Sequence, residues 1–224
     1  MIEAPIESSG DAIDRLAGGL RPVKPFRTWQ AWTAGLVFLA GAALFIYCAY
    51  GPRMEIAALQ KGVWLGNSMA VVKPLMFLVC GLSALWGVAG LARPEGRPRL
   101  SYVVPVMLVA GVIVGNLMSE VARNGLGDIA ENLNGGVSTC FSTILVGGLI
   151  GLALLWAVWL RRAATSHPWA LGAMSGLAVA SLAASAYALH CNMDAPVYIF
   201  AIYCVAIGLF TGLAALLGRR LLTW

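Results

Sequence analysis

Six long apolar runs, separated by short polar segments, account for most of the chain. They cover residues 29–50, 70–92, 100–118, 140–160, 169–189 and 197–217. Each contains roughly 20 residues, the length at which a helix crosses a hydrocarbon core about 30 Å thick. Hydrophobic residues make up 60% of the sequence and charged residues 11%, against about 25% charged residues in a soluble domain. The pattern predicts an all-α protein whose residues 29–224 form a bundle of six transmembrane helices.

Basic residues mark one side of this bundle. Eleven of the 15 lysines and arginines precede the first run or follow the second, fourth and sixth runs. They are Arg15, Arg21, Lys24, Arg27, Arg93, Arg97, Arg99, Arg161, Arg162, Arg219 and Arg220. Lysine and arginine concentrate in the short cytoplasmic loops of membrane proteins. We therefore expect a multi-pass protein of the bacterial inner membrane with both termini in the cytoplasm. The net charge of +5 reflects this topology and does not indicate direct nucleic-acid binding.

Residues 1–28 form a cytoplasmic segment ahead of the first run. Apolar residues recur there at the spacing of one helical face, but so short a helix is marginal in water, and prolines keep the following residues extended. The segment is either a tether that touches anionic lipid or a motif that docks into a partner's groove. On the docking interpretation the contact residues are Ile13, Leu16, Leu20, Arg21, Pro22, Val23 and Lys24.

The extramembrane loops are too short for a soluble catalytic or ligand-binding domain. The longest are residues 51–69 and 119–139. No phosphate-binding loop, nucleophile elbow or pair of intramembrane carboxylates is present, so we do not expect an enzyme. Lys73 lies near the end of the second run, where a lysine can extend its ammonium group to the membrane surface, and we expect it to do so.

Glycine pairs at four-residue spacing occur in four of the six runs. They are Gly111/Gly115, Gly147/Gly151, Gly172/Gly176 and Gly208/Gly212. Such pairs let helices approach closely in lipid. They predict one tight bundle, and some of them are also suited to a homodimer face.

Cys140 and Cys191 lie at mirror-image positions about the polar segment 161–168. If the flanking runs form a helical hairpin, both thiols lie at the same depth, on the side opposite the basic residues. Helix axes pack about 8–10 Å apart, whereas a disulfide needs Cα atoms about 4.4–6.8 Å apart, so the spacing permits a bond without requiring one. Cys48, near the end of the first run, is also within reach on this reading.

His190 and Asp194 flank Cys191. An imidazolium lowers the pKa of a neighbouring thiol, and thiolate, imidazole and carboxylate together suit a soft or borderline metal ion. The alternative is a polar turn at the membrane surface. Any metal ligands would be Cys140, Cys191 and His190, holding a heavy-metal ion transiently; we expect no permanent cofactor.

Several short motifs resemble those of one known family. They are Leu20-Arg21-Pro22-Val23, Ala92-Arg93-Pro94, Ser138-Thr139-Cys140-Phe141, Tyr187-Ala188-Leu189-His190-Cys191, Asp194-Ala195-Pro196 and the ending Gly218-Arg219-Arg220-Leu221-Leu222-Thr223-Trp224. Along nearly its whole length the chain resembles the NrsF-like membrane anti-sigma factors, which are negative regulators of extracytoplasmic-function sigma factors in proteobacteria.

The resemblance implies that residues 1–28 bind and silence a sigma factor, with Arg21, Pro22 and Val23 in the binding arm. It also implies that Cys140 and Cys191 form a stress-sensing pair outside the cytoplasm. We expect the stress to be an oxidant or a heavy metal, a choice that the resemblance does not decide. The expected partners are a sigma factor and membrane lipid. A membrane thiol oxidoreductase or small transporter using the same cysteines is the alternative. Against this alternative, the sequence has neither the closely spaced reactive cysteines expected of an oxidoreductase nor a transporter's broken helices with a charged midplane site.

Overall fold

The computed structural model describes residues 27–125 and 137–222, together with Gly10 and Gly18. The predicted contact residues of the N-terminal segment, Ile13 to Lys24, lie outside these residues. The described chain forms seven helices: α1 (Trp29–Tyr50), α2 (Met54–Gln60), α3 (Met69–Leu91), α4 (Val104–Asn124), α5 (Val137–Val158), α6 (Pro168–Ala188) and α7 (Pro196–Leu221). All except α2 are long and apolar enough to cross a membrane, which confirms the predicted all-α architecture with six spans.

The third span is displaced along the sequence from its predicted position. It was expected at residues 100–118, but α4 runs from Val104 to Asn124. A tight helical turn at Leu100–Tyr102 occupies the start of the apolar run. Pro105 then lies in the first turn of α4, where its missing N–H costs no hydrogen bond. The apolar run therefore includes a turn that hydropathy alone does not distinguish from helix.

The six spans alternate in direction, so their connections lie at two ends of the bundle. We call the end that carries α2 and the loop between α6 and α7 the thiol end. We call the opposite end, which carries the loop 92–103 and the loop 159–167, the arginine end. The two cysteines at the helix boundaries, Cys140 and Cys191, both lie at the thiol end.

Helix α6 is the centre of the bundle and is buried along almost its whole length. Its sequence is mostly alanine, glycine and serine, and it packs against α3, α7, α5 and α1. Small residues allow this close approach in lipid. A Cβ atom on Gly218 of α7 would lie 2.6 Å from the Pro168 carbonyl oxygen and 2.7 Å from the Gly172 Cα.

The four glycine pairs divide into two groups. Gly172/Gly176 and Gly147/Gly151 pack against neighbouring helices inside the bundle, as the tight-bundle interpretation predicts. Gly111/Gly115 and Gly208/Gly212 have open space around their Cβ positions in the described structure. The homodimer face stays a prediction.

Substituting Gly218 with valine should destabilise the bundle, because the side chain would overlap the α6 backbone. Overpacking of this kind costs about 1–3 kcal/mol. Gly208→Val on the same helix is the matched control, since nothing lies within 4 Å of its Cβ position. Thermal unfolding in detergent should show a lower midpoint for Gly218→Val only; equal losses in both variants would contradict the packing described for α6 and α7.

Candidate functional site

The structure brings Cys140 and Cys191 together. Cys140 lies in the first turn of α5, and Cys191 lies in the loop after α6. Both side chains are buried and both thiols are free. Their sulfur atoms are 3.9 Å apart, while the sulfurs of a disulfide are about 2.05 Å apart. A displacement of roughly 2 Å would therefore close the bond.

Tyrosine hydroxyls surround the two thiols. Tyr198 donates a hydrogen bond of 2.9 Å to the Cys140 sulfur, and the Cys140 sulfur lies 3.4 Å from the Tyr187 hydroxyl oxygen. Tyr203 is wholly buried beside Cys191, without the geometry of a full hydrogen bond. None of these three tyrosines was predicted from the sequence to contact the thiols, although all three lie close to Cys191 along the chain.

A buried guanidinium group holds the loop that carries Cys191. The Arg53 side chain is fully inaccessible and donates to the Asp194 carboxylate at 3.0 and 2.7 Å, and to the Glu55 carboxylate at 3.0 and 3.0 Å. Its Nη1 also donates to the Cys191 carbonyl oxygen at 3.2 Å. These bonds occupy all five N–H donors of an arginine. Asn67 donates to both carboxylates, at 2.9 Å to Glu55 and 3.2 Å to Asp194.

Lys73 of α3 is a second buried cation beside the same loop. Its ammonium donates to the carbonyl oxygens of Met193 at 2.8 Å and of Cys191 at 3.3 Å, and it lies 3.5 Å from the Asp194 carboxylate. The expectation that Lys73 extends to the membrane surface is therefore wrong. The loop supplies carbonyl and carboxylate oxygens inside the bundle, which remove the need for the ammonium to reach water.

The charges of this network shift the pKa values of its members. The hydrogen bond from Arg53 lowers the pKa of Glu55 to about 2. Burial raises the pKa of Asp194, but hydrogen bonds from Arg53 and Asn67 outweigh it and leave that pKa lowered. The hydrogen bond from the Cys140 thiol lowers the pKa of Cys191, and the Lys73 ammonium acts in the same direction against the opposing effect of burial. Cys191 therefore has increased thiolate character.

Both thiols line a cleft of about 820 Å³ at the thiol end. Arg53, Glu55 and Asn67 form part of its wall, so the ionic network borders the same space as the thiols. A cleft of this size admits small oxidants and metal ions.

The remaining predicted site residues, His190 and Cys48, occupy different positions relative to the cleft. His190 lines the cleft, but its Nδ1 lies 2.9 Å from the Gly51 carbonyl oxygen and its ring packs against Tyr50. Cys48 is exposed on α1 and does not line the cleft. Within residues 27–125 and 137–222, no three histidine, cysteine, aspartate or glutamate side chains converge to hold a metal ion. Metal binding by Cys140, Cys191 and His190 stays a prediction.

Helix α5 also makes a specific contact at the arginine end. Trp159 follows the last residue of α5 and is buried. Its indole N–H donates a hydrogen bond of 3.1 Å to the carbonyl oxygen of Arg27, two residues before α1 begins. The helix whose first turn carries Cys140 thus holds, at its other end, the backbone that joins the N-terminal segment to α1.

Comparison with known proteins agrees with the sequence resemblance. The family described as negative regulator of sigma F matches residues 16–224. A curated relative, the anti-sigma-F factor NrsF of Caulobacter vibrioides, is 30% identical, with 96% of this chain and 98% of the relative covered. No solved structure matches the chain. The protein therefore belongs to the NrsF family of negative regulators of sigma F.

Proposed function

We propose that this protein is an inner-membrane anti-sigma factor that binds an extracytoplasmic-function sigma factor through residues 1–28. The bound sigma factor is kept from RNA polymerase until Cys140 and Cys191 change state. Membership of a family of negative regulators supports a sigma-factor partner. The distribution of basic residues supports a cytoplasmic N-terminus and a periplasmic thiol end.

The observation that carries the sensor half of the proposal is the buried pair of free thiols 3.9 Å apart. An oxidant of the peroxide class would react first with Cys191, whose loop is held by the Lys73 ammonium. The Cys191 thiolate attacks one peroxide oxygen and becomes a sulfenic acid, as the O–O bond breaks and hydroxide leaves. The Cys140 sulfur then displaces the sulfenic oxygen as water. With hydrogen peroxide, two thiols and one oxidant molecule thus give one disulfide and two waters.

Closure of this bond would strain the present geometry at both thiols. The sulfurs must approach by roughly 2 Å, while the Cys191 backbone is held by Arg53 and Lys73. The displacement therefore falls on the first turn of α5. Because α5 also holds the Arg27 carbonyl through Trp159, its movement reaches the start of the N-terminal segment.

The free energy needed to shift the protein from the bound to the released state is of the size that a covalent change provides. Converting a population from 1:99 to 99:1 needs about 5.5 kcal/mol of differential stability. One hydrogen bond contributes only about 0.5–1.5 kcal/mol. Formation of a disulfide or a metal–thiolate bond is the kind of event that provides the larger amount.

The arm is tested by reversing one of its charges. Arg21→Glu should reduce recovery of the sigma factor with the full-length protein by at least about tenfold, because a like-charge contact costs several kcal/mol at an interface. Arg15→Glu makes the same charge change off the predicted apolar face and should bind nearly normally. The measurement is co-purification from membranes under reducing conditions. Normal recovery with Arg21→Glu would show that the arm is placed wrongly.

The route through α5 is tested by removing a single N–H group. Trp159→Phe keeps an aromatic ring but loses the bond to Arg27. The disulfide should still form under oxidant. The oxidant-dependent increase in released sigma factor should fall from at least about tenfold in the wild type to less than about twofold in the variant, because one hydrogen-bonded link is lost. Trp156→Phe, about one turn earlier on α5, is the control. Full release in the Trp159 variant would contradict this route.

A further inference from the structure

A concave pocket at the arginine end is separate from the thiol site. It has a volume of about 430 Å³ and lies between the start of α1, the end of α3 and the loop that follows α3. Three arginines line it: Arg93, Arg97 and Arg99. Among the described residues that line it, Glu95 is the one carboxylate. The wall therefore has an excess of positive charge.

The three arginines of the pocket are not ion-paired within the described residues, although Glu95 lies in the same wall. None of its three arginines forms an ion pair with any residue in 27–125 or 137–222. At the thiol end, by contrast, Arg53 and Lys73 are both matched by carboxylates. A cluster of unmatched arginines in a concave site is suited to an external anion, and guanidinium groups bind phosphate oxygens in pairs.

The loop that carries these arginines is packed against the bundle at Gly96, while the arginines themselves are exposed. Gly96 is buried, and its N–H donates a hydrogen bond of 2.9 Å to the Arg93 carbonyl oxygen. A Cβ at this position would lie 2.9 Å from the Arg93 carbonyl oxygen and would overlap the Gly90 backbone. The close contact fixes the backbone turn between Arg93 and Arg97.

Aromatic side chains place the pocket at a membrane interface. Trp32 and Trp86 line its wall near one end of α1 and α3. Trp86 is half exposed and packs edge-on against Tyr102, with ring centroids 5.4 Å apart. Tryptophan and tyrosine are enriched at the level of lipid headgroups, and basic pockets between membrane helices bind anionic headgroups.

We infer that this pocket binds the phosphate of an anionic phospholipid headgroup. Thr28 also lines it, so the bound lipid would lie beside the residue that connects the N-terminal segment to α1. This site does not depend on thiol chemistry or on a sigma factor. It would anchor the start of α1 to the cytoplasmic leaflet whatever the state of the thiol pair.

The test compares two pairs of arginines at the same end of the bundle. Arg97→Gln with Arg99→Gln removes two charges from the pocket, whereas Arg161→Gln with Arg162→Gln removes two charges outside it. Native mass spectrometry of the full-length protein in neutral detergent measures binding of phosphatidylglycerol, with phosphatidylcholine of the same acyl chains as the neutral probe. The pocket variant should bind phosphatidylglycerol about thirtyfold more weakly, the effect of two cations near an anionic membrane surface, and the control variant within about twofold of wild type.

Three results would overturn the inference. Equal weakening in both variants would mean general electrostatic attraction. Complete competition by millimolar inorganic phosphate would mean a site for a free anion. Normal phosphatidylglycerol binding together with lost sigma-factor binding in the pocket variant would assign the arginines to an acidic protein segment. Unchanged thermal unfolding of both variants without lipid confirms that they are folded.

Discussion

Replacing Cys140 and Cys191 together with serine should abolish oxidant-dependent release of the sigma factor. Serine nearly preserves the size of each side chain but cannot form a disulfide. Transcription from a sigma-dependent reporter should therefore stay at its uninduced level under oxidant, while membrane insertion and thermal unfolding stay close to wild type. The readout is the ratio of reporter activity with and without oxidant.

The matched control for this change is Cys48→Ser. Cys48 is exposed on α1, outside the cleft that contains the other two thiols. Its loss should leave the reporter ratio unchanged. A normal ratio in the double-serine protein would remove Cys140 and Cys191 as the sensor, and a lost ratio in Cys48→Ser alone would assign the response to a different thiol.

Arg53→Met should give the largest loss of stability among the substitutions at the thiol end. It leaves the carboxylates of Asp194 and Glu55 without their main partner and removes one of the two donors to the Cys191 carbonyl oxygen. Breaking a buried ion pair costs about 3–5 kcal/mol. We expect a loss of about 3 kcal/mol, at the low end of this range, because the Asp194 and Glu55 side chains are still 17% and 21% exposed to solvent. The free energy of unfolding in detergent measures this loss.

Two further variants separate the ionic network from general damage. Arg123→Met removes an exposed arginine at the same end, whose hydrogen bond to Ser119 is solvent-exposed, and it should cost less than about 0.5 kcal/mol. Adding Glu55→Gln to Arg53→Met should recover part of the lost stability, because Glu55 has Arg53 as its one ion-pair partner in the described residues, whereas Asp194 keeps Lys73. An Arg53 variant as stable as wild type, with Cys140 and Cys191 still oxidised at the normal rate, would contradict the role given to the network.

The main architecture was predictable because membrane spans follow from length and hydropathy. Six spans were identified correctly, with an error at α4, where a turn and Pro105 interrupt an apolar run. The proximity of Cys140 and Cys191 was also accessible, since mirrored positions in a helical hairpin place two side chains at equal depth. The structure adds the distance and the burial of the pair.

The environment of the thiols was not predictable from local rules. Arg53 and Lys73 are charged residues near span ends, where the general expectation is exposure to water. Their burial depends on carbonyl and carboxylate groups more than a hundred residues away in sequence. The bond between Trp159 and Arg27 likewise depends on the packing of α5 against α1, which no periodicity encodes.

The most direct test measures thiol oxidation and sigma-factor binding in the same membrane sample. Across an oxidant titration, mass spectrometry gives the fraction of Cys140 joined to Cys191, and co-purification gives the fraction of sigma factor still bound. Bound sigma factor should fall in proportion to the disulfide formed and should recover when the disulfide is reduced. Release while both thiols stay free, or full retention after the disulfide has formed, would contradict the proposed function.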